Sequence, residues 1–288
     1  MTQPATKQEV AGIVLATNQK NVERWPTPED KMNNQASRAE QFRKLHVPGK
    51  PLVLFNVWDA GSAKVIAKAG VKAVGTSSWS VAAANGFADG EQLPLDVAID
   101  NLRRIVRAID LPVTIDLESG YGDAPESVAK TVASAIDAGA IGCNLEDSYP
   151  ANGQLRDIRE HCERIRRARQ AADASTVRFF INARTDVFFL PSAQPHTEEM
   201  VAQAIERARA YADAGADGLF APGLVDSRLI AKLAAASPLP LNVMVGGKTP
   251  PLATLAENGV ARVSHGPGPY FAAMNALEAA ARAAGITE

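Results

Sequence analysis

Short apolar runs alternate with longer amphipathic stretches along most of this chain. The apolar runs cover residues 52–57, 72–77, 112–118, 140–146, 178–184, 217–221, 240–245 and 261–265. Their length and near-continuous apolar character predict strands buried on both faces. The stretches 60–69, 95–109, 125–138, 155–171, 197–214, 226–236, 250–257 and 269–283 carry apolar positions at helical spacing. Several of these predicted helices run into glycine before the next strand, at Ala69-Gly70, Ala138-Gly139, Ala214-Gly215 and Asn258-Gly259. Glycine suits the left-handed position at a helix C-terminus. Strands and helices that alternate with connections this short predict a parallel sheet. Eight such units favour closure into a (β/α)8 barrel of the TIM type. No Gly-x-Gly-x-x-Gly follows the first strand, which argues against an open dinucleotide-binding sheet.

Residues 1–35 are polar and irregular, with Pro26 and Pro28 close together, and are read as an N-terminal extension. Ser37 to Leu45 suits a short helix, stopped by Val47-Pro48-Gly49, so that 36–288 is the expected catalytic barrel domain. The chain has 288 residues, and a barrel of this type takes about 250. Thirty Lys and Arg against 32 Asp and Glu leave a net charge of −2. That balance offers no general attraction to nucleic acid or to an anionic membrane. No apolar run approaches the ~20 residues of a membrane span, and Met1 to Lys20 lacks a secretory-signal pattern. Cys143 and Cys162 are the only cysteines. They are too few for a disulfide framework or a zinc cluster, and the cytoplasm is the expected location.

Active sites of such barrels lie at the C-terminal strand ends, so the residues there carry the candidate chemistry. Strand 3 ends Asp116-Leu117-Glu118-Ser119-Gly120-Tyr121-Gly122, strand 4 ends Asn144-Leu145-Glu146-Asp147, and strand 5 ends Asn182-Ala183-Arg184-Thr185-Asp186. Period two in a strand places Asp116 and Glu118 on one face, with Leu117 opposed. Glu146 on the neighbouring strand joins them. Three carboxylates in one mouth repel unless a cation is present. Mg2+ is the natural choice, since it prefers oxygen ligands and keeps several waters. Zinc would want His or Cys, and none converges here. Arg184 is placed either to hold a substrate carboxylate by paired hydrogen bonds or to neutralise the acids. Ser77 and Ser78 close strand 2, where backbone N–H groups suit an oxyanion. Cys143 and Cys162 read as core residues, and Lys248 and His265 as rim residues.

Taken in order, these strand ends, with Asn56-Val57-Trp58-Asp59-Ala60-Gly61-Ser62-Ala63 and the Gly86-Phe87-Ala88-Asp89-Gly90 loop, resemble the isocitrate lyase/phosphoenolpyruvate mutase superfamily over roughly Leu45 to Ala283. The resemblance implies that Asp89, Asp116, Glu118 and Glu146 bind Mg2+ (or Mn2+) directly or through water, with Glu118 foremost. It implies that Ser77, Ser78, Trp79 and Arg184 meet the pyruvyl part of a substrate; Asp89 and Asn242 complete the expected substrate-binding set. The activity implied is cleavage or formation of a C–C or P–C bond beside a pyruvate-like or glyoxylate-like unit.

The chain also departs from the best-known members. The lyases carry a Lys-Arg-Cys-Gly-His-type loop after strand 4, and the mutases a Lys-Thr-type loop. Here Ser148-Tyr149-Pro150-Ala151-Asn152-Gly153-Gln154-Leu155 holds neither Lys nor Cys. Gly75 stands where the lyases place a Tyr. The expected function is a C–C lyase on a small 2-hydroxy or 2-oxo di- or tricarboxylate, acting through a metal-stabilised enolate, with Arg184, Glu118 and Tyr149 as the catalytic candidates and the proton donor open among Tyr149, Tyr121 and His265. The alternatives are an oxaloacetate-type hydrolase or decarboxylase, a phosphonomutase-like enzyme, and a catalytically silent dicarboxylate-binding barrel. Residues 148–155 are expected to form a mobile lid. The alanine-rich last helix, with the resemblance, points to a homotetramer.

Overall fold

Parallel strands buried on both faces need a cover of helices, and the chain supplies one after each strand. The computed structural model describes residues 28–189 and 195–285. Its strands are β1 (Leu52–Val57), β2 (Val74–Thr76), β3 (Val113–Asp116), β4 (Gly142–Glu146), β5 (Phe180–Arg184), β6 (Gly218–Ala221), β7 (Leu241–Met244) and β8 (Arg262–Ser264). Each pairs in parallel with the next and β8 returns to β1, so the barrel is closed in sequence order. The helices are α1 (Pro28–Lys44), α2 (Ala60–Lys68), α3 (Ser78–Ala84), α4 (Leu95–Ala108), α5 (Pro125–Asp137), α6 (Ile158–Asp173), α7 (Glu198–Ala214), α8 (Ser227–Ala236), α9 (Leu252–Glu257) and α10 (Gly268–Ala283). Gly70, Gly139, Gly215 and Gly259 all have positive φ, as their places after helices require. No described helix is long and apolar enough to cross a membrane.

The structure differs from the sequence reading in three places. β3 stops at Asp116 instead of continuing to Glu118. The short helix α3 occupies what reads as a loop, because the Ser77 side chain accepts the Ser80 N–H and starts a turn. Helix α1 crosses the expected boundary at residue 35; residues 1–27 of the expected extension lie outside the described residues.

Helix α1 closes the N-terminal end of the barrel. The Gln35 amide donates to the carbonyls of Ile136 and Ala140, at 2.9 and 2.8 Å. Arg43 pairs with Asp217 at 2.7 Å. Ala39 and Phe42 are fully buried, and the His46 ring, just beyond the helix, stacks on Phe180 at 4.2 Å. The barrel interior above this plug is polar. Asn182 donates to Asn144 (2.9 Å), Arg262 reaches Asn144 and Ser264 (3.4 and 3.3 Å), and Ser264 donates to Asn242 (3.2 Å). Burial pushes the Arg262 guanidinium down to about 10.

Phe42 therefore belongs to the core. Phe42→Ala is expected to cost about 3–5 kcal/mol, read from the urea midpoint. A wild-type midpoint would mean that α1 is peripheral to the fold.

Candidate active site

The C-terminal strand ends gather acids around a strained turn. β3 delivers Asp116, whose Cα partner across the sheet is Asn144; Glu146, two residues on, is paired with Arg184. Side chains two apart share a face, so Asp116, Glu146 and Arg184 line one mouth. Glu118 arrives differently. The chain leaves the strand after Asp116, and Glu118 sits at φ 50°. The pleat that sequence spacing suggested does not extend that far; a turn brings the two acids together.

Among the described residues, Glu118, Tyr121 and Glu91 are the non-glycine positions with positive φ, at 50°, 57° and 60°. Such backbone costs roughly 1–3 kcal/mol each and persists only where the surroundings impose it. All three meet here. The Glu91 N–H donates to Glu118 Oε2 at 2.6 Å. Glu91 Oε1 accepts from Ser119 Oγ at 2.6 Å and from the Tyr121 N–H at 2.8 Å. The Tyr121 hydroxyl donates to Glu118 Oε1 at 3.4 Å. A Cβ on Gly120, at φ 108°, would lie 2.9 Å from Val128 Cγ2, so glycine is required in this turn. Sequence reasoning gave Glu91 no role, since a lone Glu after Asp89-Gly90 carries no periodic signal.

Crowding decides the electrostatics. Glu118 is 4% exposed, and burial, then Asp116 and Asp89, push its carboxyl up to about 7. Asp89 stays exposed on its loop, yet lost solvation and the facing Asp116 hold it above the ordinary carboxylate range. Burial raises Glu146 as well, against the pull of Arg184. Asp116 Oδ2 accepts from the Ser78 hydroxyl and N–H, at 3.0 and 3.3 Å, while its buried Oδ1 has no partner.

A buried carboxylate oxygen without a partner calls for an explanation, and a hard cation is one that suits an all-oxygen donor set. Among the described residues, no three acids, His or Cys approach closely enough to hold an ion jointly. The residues therefore fit an ion with one or two direct carboxylates and water in its other positions, as Mg2+ favours. A closed protein cage does not fit them.

Arg184 is engaged by two acids. It pairs with Glu146 through Nη1 at 2.7 Å and with Asp186 through Nε and Nη2 at 2.6 and 3.1 Å. Burial works against its charge, but Glu146, Asp186 and Asp116 outweigh it and raise its pKa. Of its two readings from sequence, neutralising the acids is the one seen in this geometry. Asp186 is itself set by Ser148 Oγ at 2.6 Å and, through its N–H, by Asp147 Oδ1 at 2.9 Å.

A family model described as phosphoenolpyruvate phosphomutase matches residues 42–284. A phosphonomutase candidate from Burkholderia cenocepacia J2315 is 59% identical, with a TM-score of 0.85 over 87% of this chain and 99% of that one. An uncharacterized protein of Mycobacterium tuberculosis strain H37Rv is 37% identical over 84% of this chain and 88% of its own length. The 2-methylisocitrate lyase of Escherichia coli K12 is 34% identical over 72% of this chain and 73% of its length.

The chain belongs to the phosphoenolpyruvate phosphomutase family. It is an enzyme of the isocitrate lyase/phosphoenolpyruvate mutase type, as its strand ends suggested. Members of this superfamily generally depend on a divalent metal.

Within this family frame, several expected site residues stand apart from the acids. Tyr149 points its hydroxyl to Glu160 Oε2 at 2.6 Å, under the Arg156 guanidinium 4.0 Å from its ring. Its segment is a hairpin closed by the Ser148–Leu155 bridge, with the Tyr149 N–H on Gln154 O at 2.9 Å. The Pro150 carbonyl lies 3.6 Å from where a Gly90 Cβ would be, so this hairpin and the Asp89 loop touch. Asn242 is buried on β7, accepts from Ser264 Oγ, and is in register with Phe220 and, through it, with Arg184. Trp79 packs on Phe271 and Tyr270 of α10, at 4.6 and 5.8 Å. The N–H groups of Ser77 and Ser78, read as oxyanion donors, already serve the Val57 carbonyl and Asp116. Gly75 has no room to be a Tyr: its Cβ would lie 2.6 Å from Leu54 Cδ2 and 3.1 Å from Thr114 Cγ2. His265 packs on Phe55 at 4.6 Å, and burial lowers its pKa.

The raised Glu118 value makes a signed prediction. The folded state holds the proton that the unfolded chain loses between about 4.5 and about 7. Its contribution to stability is therefore full below that window and falls as pH rises through it. Glu118→Gln is expected to raise the melting temperature of metal-free protein by roughly 2–4 °C at about pH 8 and to leave it unchanged near pH 4. Equal shifts at both pH values would refute the assignment.

Proposed function

We propose that this chain is a Mg2+-dependent lyase, with Mn2+ as an alternative ion, acting on a small 2-hydroxy or 2-oxo di- or tricarboxylate. It breaks a C–C bond and releases pyruvate, glyoxylate or a close relative. The observation that carries the metal part is the unpartnered Asp116 Oδ1 beside the buried, strained Glu118. Asp89, Asp116, Glu118 and Glu146 would hold the ion directly or through water. A divalent ion bound there supplies positive charge to an oxyanion developing on the substrate.

The remaining work falls to the chain's own side chains. Arg184, kept charged by its two acids, adds a fixed positive group at the mouth, and the Ser77 hydroxyl, which accepts from Ser80 and keeps its own proton, suits a substrate carboxylate, while Ser78 is held on Asp116. Cleavage needs a base for the substrate hydroxyl proton and an acid that protonates the departing carbon. Tyr121 suits the second task better than Tyr149. Its hydroxyl stands among the site acids, on Glu118 Oε1, whereas that of Tyr149 is turned to Glu160. Tyr149 instead braces the hairpin, which gates the mouth and does not supply the acid.

A phosphonomutase reading stands second, on the 59% identity to the Burkholderia candidate. The absence of Lys and Cys from the 148–155 hairpin favours neither the known lyase loop nor the known mutase loop, and it keeps hydrolysis or decarboxylation in view. A panel of 2-hydroxy acids, 2-oxo acids and phosphonates with Mg2+ separates these readings by release of pyruvate, glyoxylate, CO2 or phosphonate product. Pyruvate or glyoxylate from a hydroxy acid is expected, abolished by Glu118→Ala. Oxalate affinity that is equal with and without EDTA would sink the metal-dependent reading.

The same reading includes a homotetramer. In α10 the buried residue is Pro269, while Phe271 and Leu277 are 45% and 64% exposed. An apolar helix this bare suits cover by a neighbouring subunit. Light scattering at micromolar concentration is expected to give four chain masses; a monomer mass would refute it.

A further inference from the structure

The turn from Leu117 to Asp123 is held from two sides by residues far from it in sequence. From the helical layer, the fully buried Arg164 of α6 donates Nη2 to the Ser119 and Gly122 carbonyls, at 2.5 and 2.8 Å, and Nη1 to the Asp123 carbonyl at 2.7 Å. From the loop between α3 and α4, Glu91 grips the same turn with both its ends. Its carboxylate takes the Ser119 hydroxyl and the Tyr121 N–H, and its own N–H goes to the Glu118 carboxylate.

We propose that Glu91 is a positioning residue: it holds the Glu118 carboxylate in place by bracing the left-handed turn that presents it, and it ties that placement to the order of the Asp89 loop. The inference rests on the reading of Glu118 as a metal-site carboxylate. A side chain that only filled space would not bond the turn at two donors while its amide bonds the acid the turn displays. Glu91 is also strained itself, at φ 60°, so the loop adopts an unfavourable backbone to make these bonds. Three strained positions brace one another, and none has a reason to be left-handed alone. Arg164 supplies the opposite half of the brace, buried and held by three carbonyls, whereas Glu91 lies on a loop that meets the 148–155 hairpin through Gly90 and Pro150. A change in that loop reaches Glu118 through Glu91.

The test compares full-length Glu91→Ala and Glu91→Gln with the wild type in three measurements: Mn2+ affinity by calorimetry with the metal alone, hydrogen exchange at the Tyr121 amide, and melting temperature. Alanine is as strained as glutamate at this φ, so it removes the acceptor and leaves the backbone conflict. Glutamine keeps an acceptor oxygen for both donors. Groups that orient metal ligands typically change affinity 10–100-fold when removed. Glu91→Ala is expected to weaken Mn2+ binding by about that factor and to speed exchange at Tyr121 by about tenfold or more, with a near wild-type melting temperature. Glu91→Gln is expected to restore both to within about threefold of the wild type. Unchanged exchange in Glu91→Ala would overturn the proposal. So would faster exchange with unchanged Mn2+ affinity, because the turn would then not set the site. A Gln variant as impaired as the Ala variant would remove its hydrogen-bonding basis. No Mn2+ binding by the wild type, with the exchange effect and its rescue intact, would sink the metal reading and leave the brace standing.

Discussion

Carboxylates crowded together at one end of a closed barrel repel, and the arrangement of this molecule's mouth follows from that. Burial, and after it the neighbouring Asp116, raises the proton affinity of Glu118 and of Asp89, and Glu146 escapes only in part because Arg184 lies against it. A fold holds such a group together when other interactions fix it there. Here they are the paired acids on Arg184, the serine on Asp116, and a turn forced into left-handed backbone by Glu91 on one side and Arg164 on the other. The result is negative charge and one unpartnered oxygen, which is a surface complementary to a small hard cation.

The support for this mouth runs down through the barrel. Asp147 at the end of β4 accepts from Arg207 at 3.0 Å and from the Tyr211 hydroxyl at 2.7 Å, both on α7. Its other oxygen takes the Asp186 N–H. One buried acid thus connects β4, the segment after β5 and α7, and so fixes the distance between Glu146 and Arg184. Lower in the barrel the Asn144, Asn182 and Arg262 network fills the interior with polar groups, and Phe42 of α1 seals it from below, with the Arg262 guanidinium 5.9 Å from its ring. Polar interiors of this kind are costly unless bonded; these groups bond one another, while Asn182 Oδ1, Asn242 Nδ2 and Arg262 Nη1 keep no partner among the described residues.

Two segments that set the sequence apart from the best-known superfamily members are built into the packing. The 148–155 hairpin is a braced structural piece, with Tyr149 held between Arg156 and Glu160. Gly75 is closed off by Leu54 and Thr114. Neither position offers an acid or base to the mouth, while Tyr121 does stand there. The strand-end acids and the loop segments are thus separate pieces of the fold.

Much of the architecture was legible in the sequence. Buried parallel strands show as continuous apolar runs, and helices that end in glycine show where each repeat stops, so eight units and their closure follow from local pattern and topology. The acids Asp116, Glu118 and Glu146 and their companion Arg184 were visible as strand-end residues. Their mutual geometry was not. Strand periodicity gave the right partners for Glu118 through the wrong path, because a backbone that turns left-handed leaves no mark in hydrophobic spacing. Glu91, Asp186 and Arg164 act through contacts between residues 27 or more apart, or through a side chain that folds back on its own strand end. Tyr149 and Tyr121 are the same residue type at the ends of neighbouring strands, and only packing sent one hydroxyl to Glu160 and the other to Glu118. Local pattern is set by residues that are neighbours along the chain, so the sequence determines the elements. A charge's environment is set by residues that become neighbours when the barrel closes, so the tertiary structure alone decided which acids hold their protons more tightly, which are neutralised, and which is left facing the mouth.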